Sequence, residues 1–410
     1  MLPIADQWYR RLLAMALVLG VAGGLFALVY SGLTTTGITY FFGEPTAELF
    51  SGQWWWIPLV ATGALIVAAL RQRTGLSGTV PGGIALVRVG WVDPSTALPV
   101  IAVSVVSLIF GASLGPSLGI IVFGGGLGAW LVSRRPEADE AERQENSLAG
   151  MAGGLGAVFS GPLFASVMDT ELSPRPKRDY VSSFVPRFLS SVVGYIIFFG
   201  VTSQVMLGSY AIPEYTFEWV HILYAPLLGL LAAVTLVAFA VIDKVIGIAA
   251  GRIANPYLKA LGFGALIGFI AFAVPLAASG GSSQLVYVTE NLGVLGVGLL
   301  VVVLLAKMAA VSLSNKAGFL GGQVFPMLFI GGTVGALVSA VVPEVPASLA
   351  VGVMIAAVPG AIIGAPVTFI ILGVGTVGLG IASVAPMGIA IITAQLAVSA
   401  LRLRRAHESM

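Results

Sequence analysis

The sequence predicts an all-α, polytopic membrane protein with short, tilted and broken helices arranged in two similar halves. Three observations carry this prediction: the composition, the glycines and prolines inside apolar runs, and an internal repeat. Of the 410 residues, 58% are apolar and 9% are charged, and the mean hydropathy is +1.01. A soluble domain carries about 25% charged residues and could not bury so much apolar surface. We therefore expect one integral membrane domain over residues 1–410.

The composition also argues against several classes of function. The chain has no cysteine, so we expect neither disulfides nor a thiolate metal site. The formal net charge of +2 is too small to indicate a nucleic-acid partner. Its two histidines, His221 and His407, are isolated, and the apolar runs contain no constellation typical of a membrane enzyme. We expect no cofactor and no metal, with membrane lipid as the surroundings.

The apolar runs are interrupted by glycine and proline, of which the chain has 53 and 22. Many runs are shorter than the roughly 20 residues that span the hydrocarbon of a bilayer. Broken helices in a membrane protein line a protected cavity, and many transporters build their binding site in this way. The runs lie near residues 12–35, 53–70, 98–110, 116–133, 149–168, 183–207, 219–247, 256–277, 291–313, 324–342, 345–363, 366–383 and 385–402.

The few polar segments suggest how the chain is oriented. We expect solvent-exposed loops over 134–147, which is rich in charge, and over 172–181. A bacterial or archaeal-type plasma membrane with both termini cytoplasmic is expected from the positive-inside rule. The first apolar run looks like a retained helix rather than a cleaved signal. We expect approximate halves of 12–210 and 219–402 and no cytoplasmic regulatory domain. The basic residues near the two termini are Arg10, Arg11, Arg402, Arg404 and Arg405.

Two stretches of the first half recur in the second. Residues 124–129 (GGGLGA) resemble 331–336 (GGTVGA), 207 positions later. Residues 156–163 (GAVFSGPL) resemble 360–367 (GAIIGAPV), 204 positions later. A repeat of broken helices indicates a transport site near the membrane midplane, between the halves. Counting the segments does not establish whether the halves are inverted.

One helix in each half is predicted to start just before the first repeated glycine block. These starts follow Gly115-Pro116 and Phe325-Pro326. The first N–H groups of a helix have no intrahelical acceptor, and the positive end of its dipole lies there. Such a start can bind an anion without any charged side chain, weakly enough to release it. Residues 77–83 form a third candidate, where Ser77 or Thr79 could add a hydroxyl donor. An ordinary polar turn is the alternative there.

These residues resemble the CLC chloride channel and transporter family, over roughly residues 75–400. Residues 77–81 (SGTVP) resemble the family motif GSGIP, 111–116 (GASLGP) the region of GREGP, and 321–326 (GGQVFP) the pattern GGxFxP. Residues 159–163 and 365–368 resemble two further helices of the family. The resemblance implies a homodimer with a pore in each subunit, two inverted halves, and an inorganic anion, by default chloride, held by helix starts.

The departures from the family pattern bear on mechanism. Leu114 stands where the family has its gating glutamate. Leu172 stands at the inner glutamate of the proton-coupled members, one residue after Glu171. The motif serine falls on Gly78 and the motif phenylalanine on Val324, while no tyrosine follows Tyr287 to supply the pore tyrosine. The resemblance therefore implies a divergent member that lacks the gating glutamate.

We predict a membrane anion channel or uncoupled anion transporter of CLC type. One alternative is a secondary transporter of another anion or small solute, coupled through Glu171 or Asp169. Another is that the apolar lining closes the pathway. Lys307 and Lys316 are candidate vestibule charges, although Lys307 could instead pair with an acid or extend to an interface. The predicted anion pathway consists of Ser77, Gly78, Thr79, Val80, Pro81, Ala112, Ser113, Leu114, Gly115, Pro116, Gln323, Val324, Phe325 and Pro326.

Overall fold

The computed structural model describes residues 3–76, 78, 80–172, 180–203, 210–376 and 378–408. Over these ranges the chain forms sixteen α-helices and no β-strand, which confirms the all-α prediction. The helices are α1 (Gln7–Phe42), α2 (Trp56–Arg73), α3 (Gly83–Val89), α4 (Pro94–Ile109), α5 (Ser117–Ser133), α6 (Glu140–Val158), α7 (Pro162–Leu172), α8 (Tyr180–Thr202), α9 (Val220–Gly251), α10 (Pro256–Ala273), α11 (Ser282–Glu290), α12 (Val297–Ala317), α13 (Val324–Val341), α14 (Ala347–Ile363), α15 (Pro366–Thr376) and α16 (Val384–Glu408).

Seven helices of the described chain are long and apolar enough to cross a bilayer. The longest, α1 and α9, have 36 and 32 residues, whereas α5 and α14 have 17 each. The predicted run at 149–168 is broken into α6 and α7, because the backbone turns at Ser160, whose φ is +49°. Long and short helices thus coexist, as the glycine and proline interruptions predict.

The charged segment at 134–147 differs from its prediction. The expected exposed loop is wrong from Glu140 onward, where α6 begins. The Asp139 carboxylate accepts a hydrogen bond from the Glu142 N–H at 2.6 Å and caps the helix. Arg135 pairs with Glu142 at 2.6 Å, and such pairing allows carboxylates to be buried. Most of the other predicted loop, 172–181, lies outside the described residues.

The repeated glycine blocks mark places where helices pack closely. A Cβ atom at Gly124 of α5 would lie 2.0 Å from the carbonyl oxygen of Gly150 in α6. In the second half, a Cβ atom at Gly331 of α13 would lie 2.2 Å from the carbonyl oxygen of Met354 in α14. Small residues let membrane helices approach closely enough for backbones to touch. The repeat therefore encodes the same helix pair twice.

The two halves meet at Gly115 and Gly322, which are 207 positions apart in the sequence. They form an isolated antiparallel bridge. The Gly115 N–H donates to the Gly322 carbonyl at 2.7 Å, and the Gly322 N–H donates to the Gly115 carbonyl at 2.6 Å. Antiparallel pairing of equivalent residues is the arrangement that a two-fold axis between them produces.

Two equivalent serines reinforce this junction. The Ser107 hydroxyl accepts from the Leu320 N–H at 3.0 Å, and the Ser314 hydroxyl accepts from the Ser113 N–H at 2.9 Å. Each hydroxyl also donates to a carbonyl of its own helix at 2.7 Å. Each half therefore satisfies a buried N–H group of the other, through residues that the 207-residue offset relates.

We expect Ser107→Ala and Ser314→Ala to lower the free energy of unfolding by similar amounts, about 1–3 kcal/mol each, because each leaves a buried N–H group unpaired. Thermal unfolding in detergent measures this. Ser166→Ala is the control, since the buried Ser166 hydroxyl donates to the Pro162 carbonyl of its own helix. Equal effects of all three changes would contradict a special role for the pair.

Candidate anion pathway

Two cavities flank the Gly115–Gly322 bridge. The smaller, about 130 Å³, lies beside Leu114, Pro116 and Phe325. The larger, about 850 Å³, lies beside Ser117, Leu118 and the segment 318–323. They share no lining residue among those described, so the bridge and its neighbours separate them.

The cavities lie at opposite ends of helix α2. Helix α2 contributes Trp56, at its start, to the smaller cavity and Arg71, near its end, to the larger. At a rise of about 1.5 Å per residue these residues are separated by about 22 Å along the helix axis. A path beside the bridge would therefore join cavities that are about 22 Å apart along this helix.

The lining of the cavities shows that the halves are inverted. Residues 207 positions apart line opposite cavities, as expected when a two-fold axis in the membrane plane exchanges the two faces. The first residue of each pair below lines one cavity and the second lines the other. The pairs are Leu108 and Asn315, Leu114 and Gly321, Pro116 and Gln323, and Phe325 and Leu118.

The partition between the cavities is apolar and tightly packed. Leu114 and Phe325 are each 1% exposed. A Cβ atom at Gly115 would lie 2.8 Å from the Phe325 ring, so only glycine fits there. Phe325 also stacks on Phe159, with ring centroids 5.2 Å apart. Side chains of both halves thus close the partition in this conformation.

The family model described as "Voltage gated chloride channel" matches residues 78–399, which is more than half of the chain. The chain belongs to the voltage-gated chloride channel family. This match confirms the resemblance to the CLC proteins.

Several individual proteins are similar to this CLC chain. A protein of Escherichia fergusonii with the name "Putative ion-transport protein YfeO" is 25% identical over 361 residues, covering 82% of this chain and 81% of the relative. An uncharacterized protein of Methanocaldococcus jannaschii is 29% identical over 202 residues, covering 48% of this chain and 49% of the relative. In that second comparison the chain spans about half the length of its relative.

Two solved structures share the fold. A slow cyanobacterial Cl⁻/H⁺ antiporter superposes with a TM-score of 0.80 at 17% identity, covering 95% of each chain. A CLC-type fluoride/proton antiporter gives a TM-score of 0.74 at 16% identity, covering 94% of this chain and 96% of that one. These likenesses concern the fold.

The structure places the fourteen predicted pathway residues in four groups. Gly78, Val80, Pro81 and Gln323 line the larger cavity. Leu114, Pro116 and Phe325 line the smaller cavity. Ser77 and Thr79 lie outside the described residues. The remaining members, which line neither cavity and lie in or beside the partition, are Ala112, Ser113, Gly115, Val324 and Pro326.

Both predicted helix starts exist, with one difference. Helix α5 begins at Ser117, directly after Pro116, as expected. Helix α13 begins at Val324, three residues before the predicted start at Met327, so Pro326 lies inside its first turn. Proline is tolerated there because first-turn N–H groups have no intrahelical acceptor. The first turns of both helices border the partition.

The larger cavity is cationic. Four basic side chains line it, and its described lining includes no aspartate or glutamate. Lys316, a predicted vestibule charge, is one of them and lies 3.3 Å from Asp243, with both side chains about one-third exposed. Sequence reasoning missed the other three, because nothing in their spacing indicates a shared cavity. These are Arg71, Arg88 and Lys259.

Arg71 connects the segment around Gly78 to Gly318, the residue that follows α12. Its guanidinium donates to the carbonyls of Leu76 at 3.1 Å, Gly78 at 2.7 Å and Gly318 at 2.8 Å. All these acceptors are neutral, so the guanidinium keeps its positive charge beside the cavity. Arg71 therefore both positions the segment around Gly78 and makes the cavity attractive to anions.

We expect Arg71→Met to reduce anion flux by about threefold to tenfold, because loss of a cationic lining lowers the local anion concentration. Arg73→Met is the matched control, since Arg73 is exposed near the same helix end and is not a lining residue. Flux into liposomes measures both. Equal loss in the two variants would contradict the assignment.

The other predicted charged residues line neither cavity. The Glu171 carboxylate accepts from the N–H groups of Val367 at 2.9 Å and Thr368 at 2.8 Å, and so caps α15. Asp169 is fully buried in α7. Lys307 is fully buried in α12, behind the wall of the smaller cavity.

Proposed function

We propose that this chain carries anions passively across the membrane, without obligatory proton exchange. The observation that carries the proposal is Leu114. It stands at the gating position of the CLC motif, lines the smaller cavity and packs on Gly321 across the partition. An aliphatic side chain cannot take up or release a proton, so no proton can be exchanged for an anion at this point.

The anion preference is supported by the lining of the path. The first turns of α5 and α13 offer N–H groups and the positive ends of two helix dipoles. The larger cavity adds the positive charges of Arg71, Arg88, Lys259 and Lys316. Chloride is the default ion, given the family and the Cl⁻/H⁺ antiporter of similar fold.

Movement through the partition requires side chains to shift. The two cavities are separate among the described residues, and Leu114 and Phe325 fill the space beside the bridge. Rotation of these side chains would open a path while leaving the two backbone hydrogen bonds intact. We propose a homodimer with one such path in each subunit.

Liposomes loaded with chloride test the proposal. Purified protein is expected to release chloride when a potassium ionophore dissipates the membrane potential that chloride efflux would otherwise build up. No matching movement of protons is expected. Protein-free liposomes and a bath of a large organic anion are the controls. A fixed ratio of protons to chloride in opposite directions would contradict passive transport.

A second candidate function, a proton-coupled anion transporter, is favoured by Asp169. Its carboxylate is fully buried, and neither oxygen has a hydrogen-bond partner in the described structure. A buried Arg187–Glu145 pair, at 3.0 Å, lies in the same α6–α8 region. Glu171, predicted as a coupling residue, is engaged in capping α15, so Asp169 is the better proton carrier of the two.

Asp169→Asn distinguishes the two candidates. If the chain is coupled through Asp169, the variant loses any pH dependence of anion uptake, because the amide cannot carry a proton. If transport is passive, wild type and variant respond to pH alike. Uptake measured between acid and neutral medium gives the answer. Asp93→Asn serves as a control, since Asp93 caps α4 near the surface.

A further inference from the structure

Ser279 lies in the lining of the smaller cavity, and its hydroxyl group is buried there. The residue is 3% exposed and lines that cavity, next to Gly280, which lies against the Leu114 backbone. Its Oγ has no hydrogen-bond partner within the part of the chain that the structure describes. Buried polar groups are almost always paired, by protein, water or a ligand. An unpaired hydroxyl in the lining of a cavity therefore indicates an occupant.

The wall around Ser279 presents donors. Helix α11 starts at Ser282, and its first three residues, 282–284, all line the same cavity. Their N–H groups lie in the first turn, where no intrahelical acceptor is available. Ser283 donates to the Oε1 atom of Gln284 at 3.2 Å, which leaves the Gln284 amide nitrogen free to donate. The positive end of the α11 dipole adds to these donors.

Lys307 lies directly behind this wall. Its Nζ donates to the carbonyls of Ala277 at 3.4 Å, Ala278 at 3.3 Å and Ser279 at 2.6 Å. Lys307 is fully buried and does not line the cavity, so these carbonyls point into the protein, away from the cavity. The carbonyl oxygens of this loop are therefore engaged by Lys307, whereas its N–H and hydroxyl donors are left for a ligand in the cavity.

The charge of Lys307 has no carboxylate partner among the described residues, since its contacts are these carbonyls and the face of Phe329 at 5.0 Å. Its Nζ would lie 3.1 Å from a Cβ atom at Gly281, the residue before α11. A buried cation is costly unless a counter-charge lies near. An anion in the smaller cavity would supply that counter-charge.

We infer that the smaller cavity holds a distinct anion-binding subsite, formed by Ser279, the first turn of α11 and the charge of Lys307. It differs from the path through the partition because none of its donors belongs to the three anion segments of the sequence. At about 130 Å³ the cavity suits a halide with a few waters. Glu44, an exposed lining residue, lies toward solvent and would oppose ions of higher negative charge.

Equilibrium binding tests the subsite. Sodium bromide is titrated calorimetrically into the detergent-solubilised protein, in a medium of a large organic anion. We expect Ser279→Ala to weaken bromide binding by about tenfold, since hydrogen bonds to charged groups are stronger than neutral ones. The change removes a hydroxyl that bonds to no described residue, so folding should be preserved. Lys307→Met is expected to weaken binding at least as much.

Lys244→Met is the charge control, because Lys244 is an exposed cation on α9 and lines neither cavity. Bromide affinity within twofold of wild type in Ser279→Ala would overturn the inference. So would bromide-soaked crystals without an anomalous peak beside the Ser279 Oγ. Lys307→Met tests the contribution of the charge separately from that of the Ser279 hydroxyl, using variant protein that elutes in size-exclusion chromatography as wild type does.

The anion subsite rests on the proposed function only in its role in transport. The experiments can therefore contradict the subsite and passive transport independently of each other. Bromide bound beside Ser279 with no chloride flux in liposomes would contradict the proposed function and uphold the subsite. Chloride flux with no bromide beside Ser279 would do the reverse.

Discussion

Replacing Leu114 with glutamate is expected to reduce anion flux at neutral pH by at least tenfold. The side chain lines the smaller cavity beside the partition, so a carboxylate there would stand in the anion path. A unit charge about 4 Å from the anion repels it by about 4 kcal/mol at an effective dielectric constant of about 20. Acidic medium should restore part of the flux by neutralising the carboxylate.

Leu114→Gln separates charge from shape. The amide has nearly the same volume as the carboxylate but no charge, so we expect its flux to be close to that of wild type and independent of pH. Chloride flux into liposomes, measured at acid and neutral pH for the three proteins, makes the comparison. Unchanged flux in Leu114→Glu would show that residue 114 does not line the pathway.

Replacing Gly322 with alanine is expected to disrupt the junction between the halves. A Cβ atom there would lie 1.7 Å from the Oγ atom of Ser117, 3.0 Å from its Cβ atom and 3.2 Å from the Leu118 nitrogen. Rotating the hydroxyl would relieve only the first contact, so the backbone would have to separate. We expect a loss of about 3 kcal/mol from overpacking and from weakened bridge hydrogen bonds.

Gly262→Ala is the matched control for this change. Gly262 lies in α10, and no heavy atom lies within 4 Å of the Cβ atom it would gain. Alanine in a helix interior is favoured over glycine by about 1 kcal/mol, so stability should be unchanged or slightly higher. Thermal unfolding in detergent and anion flux report on both variants. A Gly322→Ala protein as stable as Gly262→Ala would contradict the junction described here.

The features of the fold that the sequence predicts correctly are those that depend on the positions of glycine and proline. The blocks at 124–129 and 331–336 are close helix contacts, and the segments ending at Pro116 and Pro326 do lead into helices. Such residues act through local backbone geometry, which a short window of sequence contains. The order of the motifs then identified the family correctly.

The features that could not be predicted depend on distant contacts. Counting segments does not establish inversion of the halves, which the family resemblance implies and the structure shows by placing Leu114 and Gly321 in different cavities. The charged segment around Glu145 predicts an exposed loop, because its buried partner Arg187 lies 42 residues away along the chain. The cationic lining around Arg71 and Lys259 likewise combines helices that are far apart in sequence. Pairing across such separations leaves no local periodicity.

The buried residues Lys307 and Asp169 lie outside the anion motifs, and their surroundings differ. Lys307 has neutral partners and borders a cavity, so its charge can act on a bound anion. Asp169 has no hydrogen-bond partner in the described structure and borders neither cavity, so its charge state matters only if protons reach it. The structure thus separates an anion-binding role from a proton-carrying one.

The most direct test of passive transport is the reversal potential of the current in a planar bilayer under a proton gradient. With equal chloride on both sides and a pH difference of two units, a passive anion pathway predicts zero current at zero voltage. With a chloride gradient and equal pH, the reversal potential should follow the chloride gradient alone. A reversal potential that shifts with the pH difference at equal chloride would contradict uncoupled transport.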